Sequence, residues 1–89
     1  MYEASEWHRD GDTIRRTVAA RDFRTAIAIV NDIAEQAEAM NHHPDIDIRW
    51  RTLHLALTTH DTGGLTDLDY QLAARIDAIV ADHEAQSRS

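Results

Sequence analysis

The sequence predicts an α+β fold: a four-stranded antiparallel sheet with two helices packed on one face, in the order β-β-α-β-β-α. Three observations lead there. Short segments that alternate apolar and polar residues flank a long segment whose apolar residues recur every three or four positions. A second segment of that helical type lies near the end of the chain. Two amphipathic helices need a common surface to bury their stripes, and the four strands supply it. With 89 residues, a single domain spanning 1–89 is expected. A core of that size is small, so self-association is a natural supplement to stability.

The elements follow in order. From Thr13 to Ala19, Ile14, Arg16 and Val18 share one face and Thr13, Arg15 and Thr17 the other, which is strand periodicity. Glu6 to Arg9, ahead of Asp10-Gly11, is its hairpin partner. Asp22 is an N-cap for a helix running to Met40. Its expected apolar stripe is Phe23, Ala26, Ile27, Val30, Ile33, Ala34, Ala37 and Met40. Pro44 ends that run and pushes His43 into an extended conformation. Asp45 to Arg49 and Leu53 to Thr58 alternate again, so they form a hairpin that turns near Trp50-Arg51-Thr52. The alternation sets Leu53, Leu55 and Leu57 against the helices and puts His54, Ala56, Thr58 and His60 on the other face. Thr66-Asp67-Leu68-Asp69 reads as a capping box, with Leu65 and Tyr70 as its hydrophobic staple. Leu72, Ala73, Ile76, Val80 and His83 then carry a second helix.

Composition removes several function classes. Nine basic residues face 16 acidic ones, a net charge of -7, which opposes direct nucleic-acid binding and anionic membranes. The chain has no cysteine, so thiol chemistry, disulfides and cysteine-based metal sites are excluded. No apolar run reaches membrane-spanning length. The N-terminal residues lack the basic start and apolar core of a signal peptide, so a cytoplasmic protein is expected.

The chemistry-bearing residues form one spaced pattern. Glu38 is followed after three residues by His42-His43-Pro44, after five more by Trp50, after nine by His60 and after eight by Asp69. Imidazoles exchange protons near neutral pH, so a histidine cluster points to proton transfer or to a metal. Adjacent ligands such as His42 and His43 converge poorly on one ion, and no helical histidine pair four residues apart accompanies them. A polar helix C-terminus is the plainest reading of His42-His43 alone. Glu38, one helical turn before His42, is expected to reach its ring and hold one tautomer. Asp69 has a ready structural explanation in the capping box. His8, His54 and His83 have no motif around them and read as surface or half-buried residues.

With Leu55 to Asp61, Gly64-Leu65-Thr66 and Asp22-Phe23, this spacing resembles the signature of the pterin-4a-carbinolamine dehydratases, over roughly Thr13 to Val80. The resemblance implies a hydro-lyase that removes water from 4a-hydroxytetrahydropterin to give quinonoid dihydropterin, in pterin cofactor recycling. It implies His42, His43 and His60 at the pterin site, with Glu38 beside them. Pro44, Thr59, Asp61, Thr62, Trp50 and Asp69 are then expected to line the substrate pocket. It further implies no metal or organic cofactor, and a homodimer or homotetramer. The family's N-terminal helix is expected to be short or absent here. The same fold family also serves as dimerisation, transcriptional or assembly cofactors, which is the alternative reading.

Overall fold

The computed structural model describes residues 6–59 and 64–87, and among them the elements follow the expected order. β1 (His8–Asp10) and β2 (Thr13–Ala19) form a hairpin, and α1 (Phe23–Met40) follows. β3 (Asp45–Arg49) and β4 (Thr52–Leu57) form a second hairpin, and α2 (Asp67–Ser87) comes last. Every strand pair is antiparallel, and the sheet order is β1-β2-β4-β3. The crossover through α1 therefore sends β3 to an outer edge and leaves the place beside β2 for β4.

Turn chemistry sets the registers. Gly11 takes φ 64 in the two-residue connection between Asp10 and Thr13, a conformation that costs glycine little. The second hairpin uses Trp50 at φ 55, which is strained for a bulky side chain. Its neighbour Arg51 compensates. The guanidinium lies 4.9 Å from the Trp50 ring centroid and donates to the carbonyls of Ala20 at 3.3 Å and Arg21 at 3.4 Å. The hairpin tip is thereby clamped to the β2–α1 connection. Asp22 caps α1 as expected, accepting from the Thr25 N–H at 2.8 Å, and hydrogen bonding from the Thr25 side chain and then its N–H holds its carboxyl below the ordinary value.

The core lies on one face of the sheet. The register sets Ile14 opposite Leu57 and Val18 opposite Leu53, so these residues and Leu55 share the face covered by the helices. Ala26, Ile29 and Ile33 of α1 meet them, with Leu72, Ala73, Ile76 and Val80 of α2. Each fully buried leucine or isoleucine contributes roughly 1.5–3 kcal/mol. Leu65 and Tyr70 pack against the same cluster. The stripe of α1 differs from expectation. Its buried residues are Ala26, Ile29, Ile33 and Ala37, whereas Ala34 is exposed and Phe23 is 51% exposed. Ala34 sits about 100° round the helix from Ile33 and so falls on the flank.

Arg16 also points to the core face, opposite Leu55. It pairs with Asp77 of α2, which accepts a second bond from Trp7 Nε1 at 2.8 Å. The Arg16 Nε is buried without a hydrogen-bond partner. The ion pair joins β2 to α2, and Trp7 brings the segment before β1 to the same carboxylate. Breaking it by Asp77→Ala strands a buried guanidinium and is expected to cost about 3 kcal/mol in urea unfolding. The apolar double replacement Arg16→Met/Asp77→Leu should recover most of that loss.

Candidate active site

The end of α1 decides where the two adjacent histidines go. Asn41 adopts φ 50 and ψ 45, in the left-handed region. The His42 N–H then bonds the Ala37 carbonyl at 3.0 Å, and the Asn41 N–H bonds that of Glu38 at 3.2 Å. This is a Schellman termination. It takes His42 out of the helix, so the helical spacing that linked Glu38 to His42 no longer applies. Glu38 pairs instead with His43, Nε2 to Oε2 at 2.6 Å, on the exposed surface. The expected Glu38–His42 contact is corrected accordingly.

His42 finds a different carboxylate. Its Nε2 lies 2.6 Å from Asp69 Oδ1, with the imidazole side chain 11% exposed and the carboxylate fully buried. Asp69 Oδ2 accepts from Thr59 Oγ1 at 2.6 Å and from the Thr66 N–H at 3.0 Å. Thr66 Oγ1 lies 2.9 Å from Thr59 Oγ1. The bond to the Thr66 N–H is the backward half of the expected capping box. The same side chain thus caps α2 and holds His42, so the structural and functional readings of Asp69 describe one arrangement. Three elements converge here: the end of α1, the segment after β4 and the start of α2. The Thr59–Gly64 bridge, with reciprocal backbone bonds of 3.2 Å, fixes Thr59 in place.

The electrostatics follow from the donors. Burial opposes ionisation of Asp69, but the bonds from Thr59, His42 and the Thr66 N–H outweigh it and hold its carboxyl below the ordinary 3.8. An ionised Asp69 only accepts hydrogen bonds, so His42 Nε2 must carry a proton and donate it. In the neutral ring this makes Nδ1 the unprotonated atom, suited to exchange a proton with a bound molecule.

The remaining expected site residues divide into three groups. Pro44 is half-buried directly after His43 and leads into β3. Trp50 lies at the other end of β3, about 20 Å along an extended chain from Pro44. It is 72% exposed at the hairpin tip, so within one chain it does not line a pocket with His42 and His43. The strand converts each residue of the spacing between Pro44 and Trp50 into length. His60, Asp61 and Thr62 lie outside the described residues. Among the described residues, no three histidine or carboxylate side chains converge on a point that could hold a metal ion. Thr66 was read as a cap alone, and its hydroxyl contact with Thr59 left no periodic signal in the sequence.

A helix-covered antiparallel sheet with two histidine–carboxylate pairs at one end defines the α+β class of this protein. The sequence pattern of the pterin 4 alpha carbinolamine dehydratase family matches residues 1–79, and the chain belongs to that family. A protein of Nocardia farcinica, provisionally named pterin-4-alpha-carbinolamine dehydratase, is 52% identical over 79 residues, 89% of this chain and 83% of the relative. One from Roseiflexus castenholzii, named in the same way, is 55% identical over 74 residues, 83% and 80% of the two chains. Among solved structures, a transcriptional coactivator/pterin dehydratase of Brucella melitensis superposes with a TM-score of 0.83 at 29% identity, covering 85% of this chain and 83% of that one. A pterin dehydratase-like RuBisCO assembly factor of the alpha-carboxysome superposes at 0.73 over 89% and 94% of the chains; at 20% identity it shares the fold.

The lowered carboxyl of Asp69 fixes the sign of an acid effect. Its contribution to stability is complete above the ordinary value of 3.8 and is lost as pH falls through that value toward the lowered one. Urea unfolding at stepped pH should show this loss in the wild type. In Asp69→Asn the same interval should be flatter, and stability near neutrality should be lower by about 2 kcal/mol, because a charge-assisted acceptor is gone.

Proposed function

We propose that this chain is a hydro-lyase that dehydrates 4a-hydroxytetrahydropterin to quinonoid dihydropterin. The observation that carries the reading is the His42–Asp69 contact at 2.6 Å on a fully buried carboxylate. The reaction requires a proton delivered to the departing 4a-hydroxyl and a proton removed from a ring nitrogen, so the net loss is one water. Groups that titrate near neutrality serve both steps. His42, held through Nε2, presents Nδ1 for one of them. His60 supplies the other in this reading, on the strength of the sequence resemblance. His43, paired with Glu38 at the surface, orients the pterin and shares in proton transfer. Pro44, Asp61 and Thr62 border the substrate, whereas Thr59 and Asp69 act through His42. The reaction needs neither metal nor organic cofactor in this account.

We place the activity in tetrahydrobiopterin-type cofactor recycling, in the cytoplasm, in a homodimer or homotetramer without direct nucleic-acid contact. No helix among the described residues is long and apolar enough to cross a membrane. A second reading, a partner-binding or assembly role, is favoured by one feature. The sheet face opposite the helices carries exposed Arg15, Thr17, Asp45, Asp47 and His54, and among the described residues no layer packs over them.

Stopped-flow decay of the 4a-carbinolamine absorbance tests the reading, with wild type and His42→Ala in parallel. The wild type should accelerate decay well above the spontaneous rate. The variant should lose about 100-fold of that acceleration, the usual scale for a general acid or base. A wild type that leaves the decay unchanged transfers the case to the partner-binding role.

A further inference from the structure

The contact between the two threonines beside Asp69 has no part in the reaction as described, yet their hydroxyl protons can be assigned. Thr59 Oγ1 lies 2.6 Å from Asp69 Oδ2 and 2.9 Å from Thr66 Oγ1. A hydroxyl has one proton, and an ionised carboxylate has none to give. Thr59 therefore donates to Asp69, and its contact with Thr66 is a bond that it accepts. The direction runs from the Thr66 hydroxyl to Thr59, and from Thr59 to Oδ2. The carboxylate is held unevenly. Oδ2 takes Thr59 and the Thr66 N–H, while Oδ1 faces His42 Nε2 at 2.6 Å. Two donors on one oxygen fix the carboxylate plane and aim the other oxygen at the ring. Both threonines are themselves fixed by backbone: Thr59 by its bridge to Gly64, and Thr66 by its place at the start of α2.

We propose that Thr66 and Thr59 form a one-way hydroxyl relay that orients Asp69 and pins His42 in the Nε2–H tautomer, so that Nδ1 is the atom that exchanges the proton with the substrate. This deepens the dehydratase reading and rests on it for the identity of the substrate, but the relay itself is visible without turnover. Thr59 is then a positioning residue and not a wall of the pterin pocket. The Thr66 hydroxyl serves the site and not only the helix cap. A relay of this kind matters because neutral imidazole has two tautomers of similar energy, and the wrong one would leave Nδ1 protonated and useless as an acceptor. Asp69 alone, free to rotate, would hold the ring less firmly than a carboxylate braced on its far oxygen.

The test joins histidine-ring nitrogen NMR to kinetics. At pH 8 the His42 ring of wild type should show a pyrrole-like Nε2 and a pyridine-like Nδ1. In Thr59→Val, which keeps the shape and removes the hydroxyl, His42 should become a tautomer mixture. With that, kcat should fall about tenfold, the scale of a hydrogen bond to an ionised group, while KM moves less than twofold. Thr59→Ser should restore both. Thr66→Val, which keeps the backbone donor, should move both in the same direction by less.

A wild-type ring protonated at Nδ1 overturns the relay without any variant, which covers the case of Thr59→Val failing to fold. A Thr59→Val that loses only thermal stability overturns it too, as does a raised KM with kcat intact, which would return Thr59 to the pocket wall. A tautomer shift in Thr59→Val with an inactive wild type upholds the relay and rejects the dehydratase reading. An active wild type whose His42 tautomer ignores both threonine variants does the reverse.

Discussion

One buried carboxylate organises the end of the fold where the α1 terminus, the segment after β4 and the start of α2 meet. Asp69 has no exposed surface, and burial alone would oppose its ionisation. It is ionised because Thr59, His42 and the Thr66 N–H each donate to it. These donors come from the segment after β4, the segment after α1 and the start of α2. Each of those segments is thereby placed relative to the others through one side chain. Loss of any donor leaves the charge less well compensated in a low-dielectric site, so the three placements depend on one another. The ordering of the site and the stability of this end of the fold are the same set of bonds.

The two ends of the sheet are built differently. At the Thr59 end, backbone termination and polar contacts converge: the Schellman turn at Asn41, the Thr59–Gly64 bridge and the Asp69 cluster. At the other end, Arg51 stacks on an exposed Trp50 and reaches back to the carbonyls of Ala20 and Arg21. Between them the apolar layer of Leu53, Leu55 and Leu57 is continuous. The Arg16–Asp77 pair intrudes on it, a charge placed on the core face of β2. Buried pairs of this kind add little net stability compared with apolar replacements. Its value is in fixing how α2 lies on β2, with Trp7 drawn to the same carboxylate.

Much of this was legible in the sequence because it depends on periodicity. The period-two segments around Ile14-Val18 and Leu53-Leu57 and the capped helix after Asp22 appear where spacing put them. The Asn41-to-Pro44 break was legible as a break, but its geometry was not. Helical spacing assigned Glu38 to His42, and one left-handed residue redirected that partnership to His43 and gave His42 to Asp69. The consequence of a single backbone dihedral is invisible to a pattern that assumes the helix continues. The Thr59–Thr66 contact was illegible for another reason: its two members belong to different elements, and a hydroxyl pair leaves no periodic trace. Trp50 shows the converse. It belongs to the spaced signature, yet β3 carries it away from the other members.

The two histidine–carboxylate pairs have equal contact distances and unequal surroundings, and that inequality separates their roles. His43 and Glu38 are 55% and 76% exposed as side chains, so water and salt screen their attraction, and both side chains keep much of their freedom. His42 and Asp69 are 11% and 0% exposed. There the carboxylate has no water to turn to, and two further donors fix it from behind. The surface pair can exchange partners at small cost. The buried pair cannot, and that rigidity favours the tautomer with its proton on Nε2. Adjacent residues thus receive opposite mechanical properties from the turn between α1 and β3. One histidine belongs to the buried scaffold, and the other to the exposed surface.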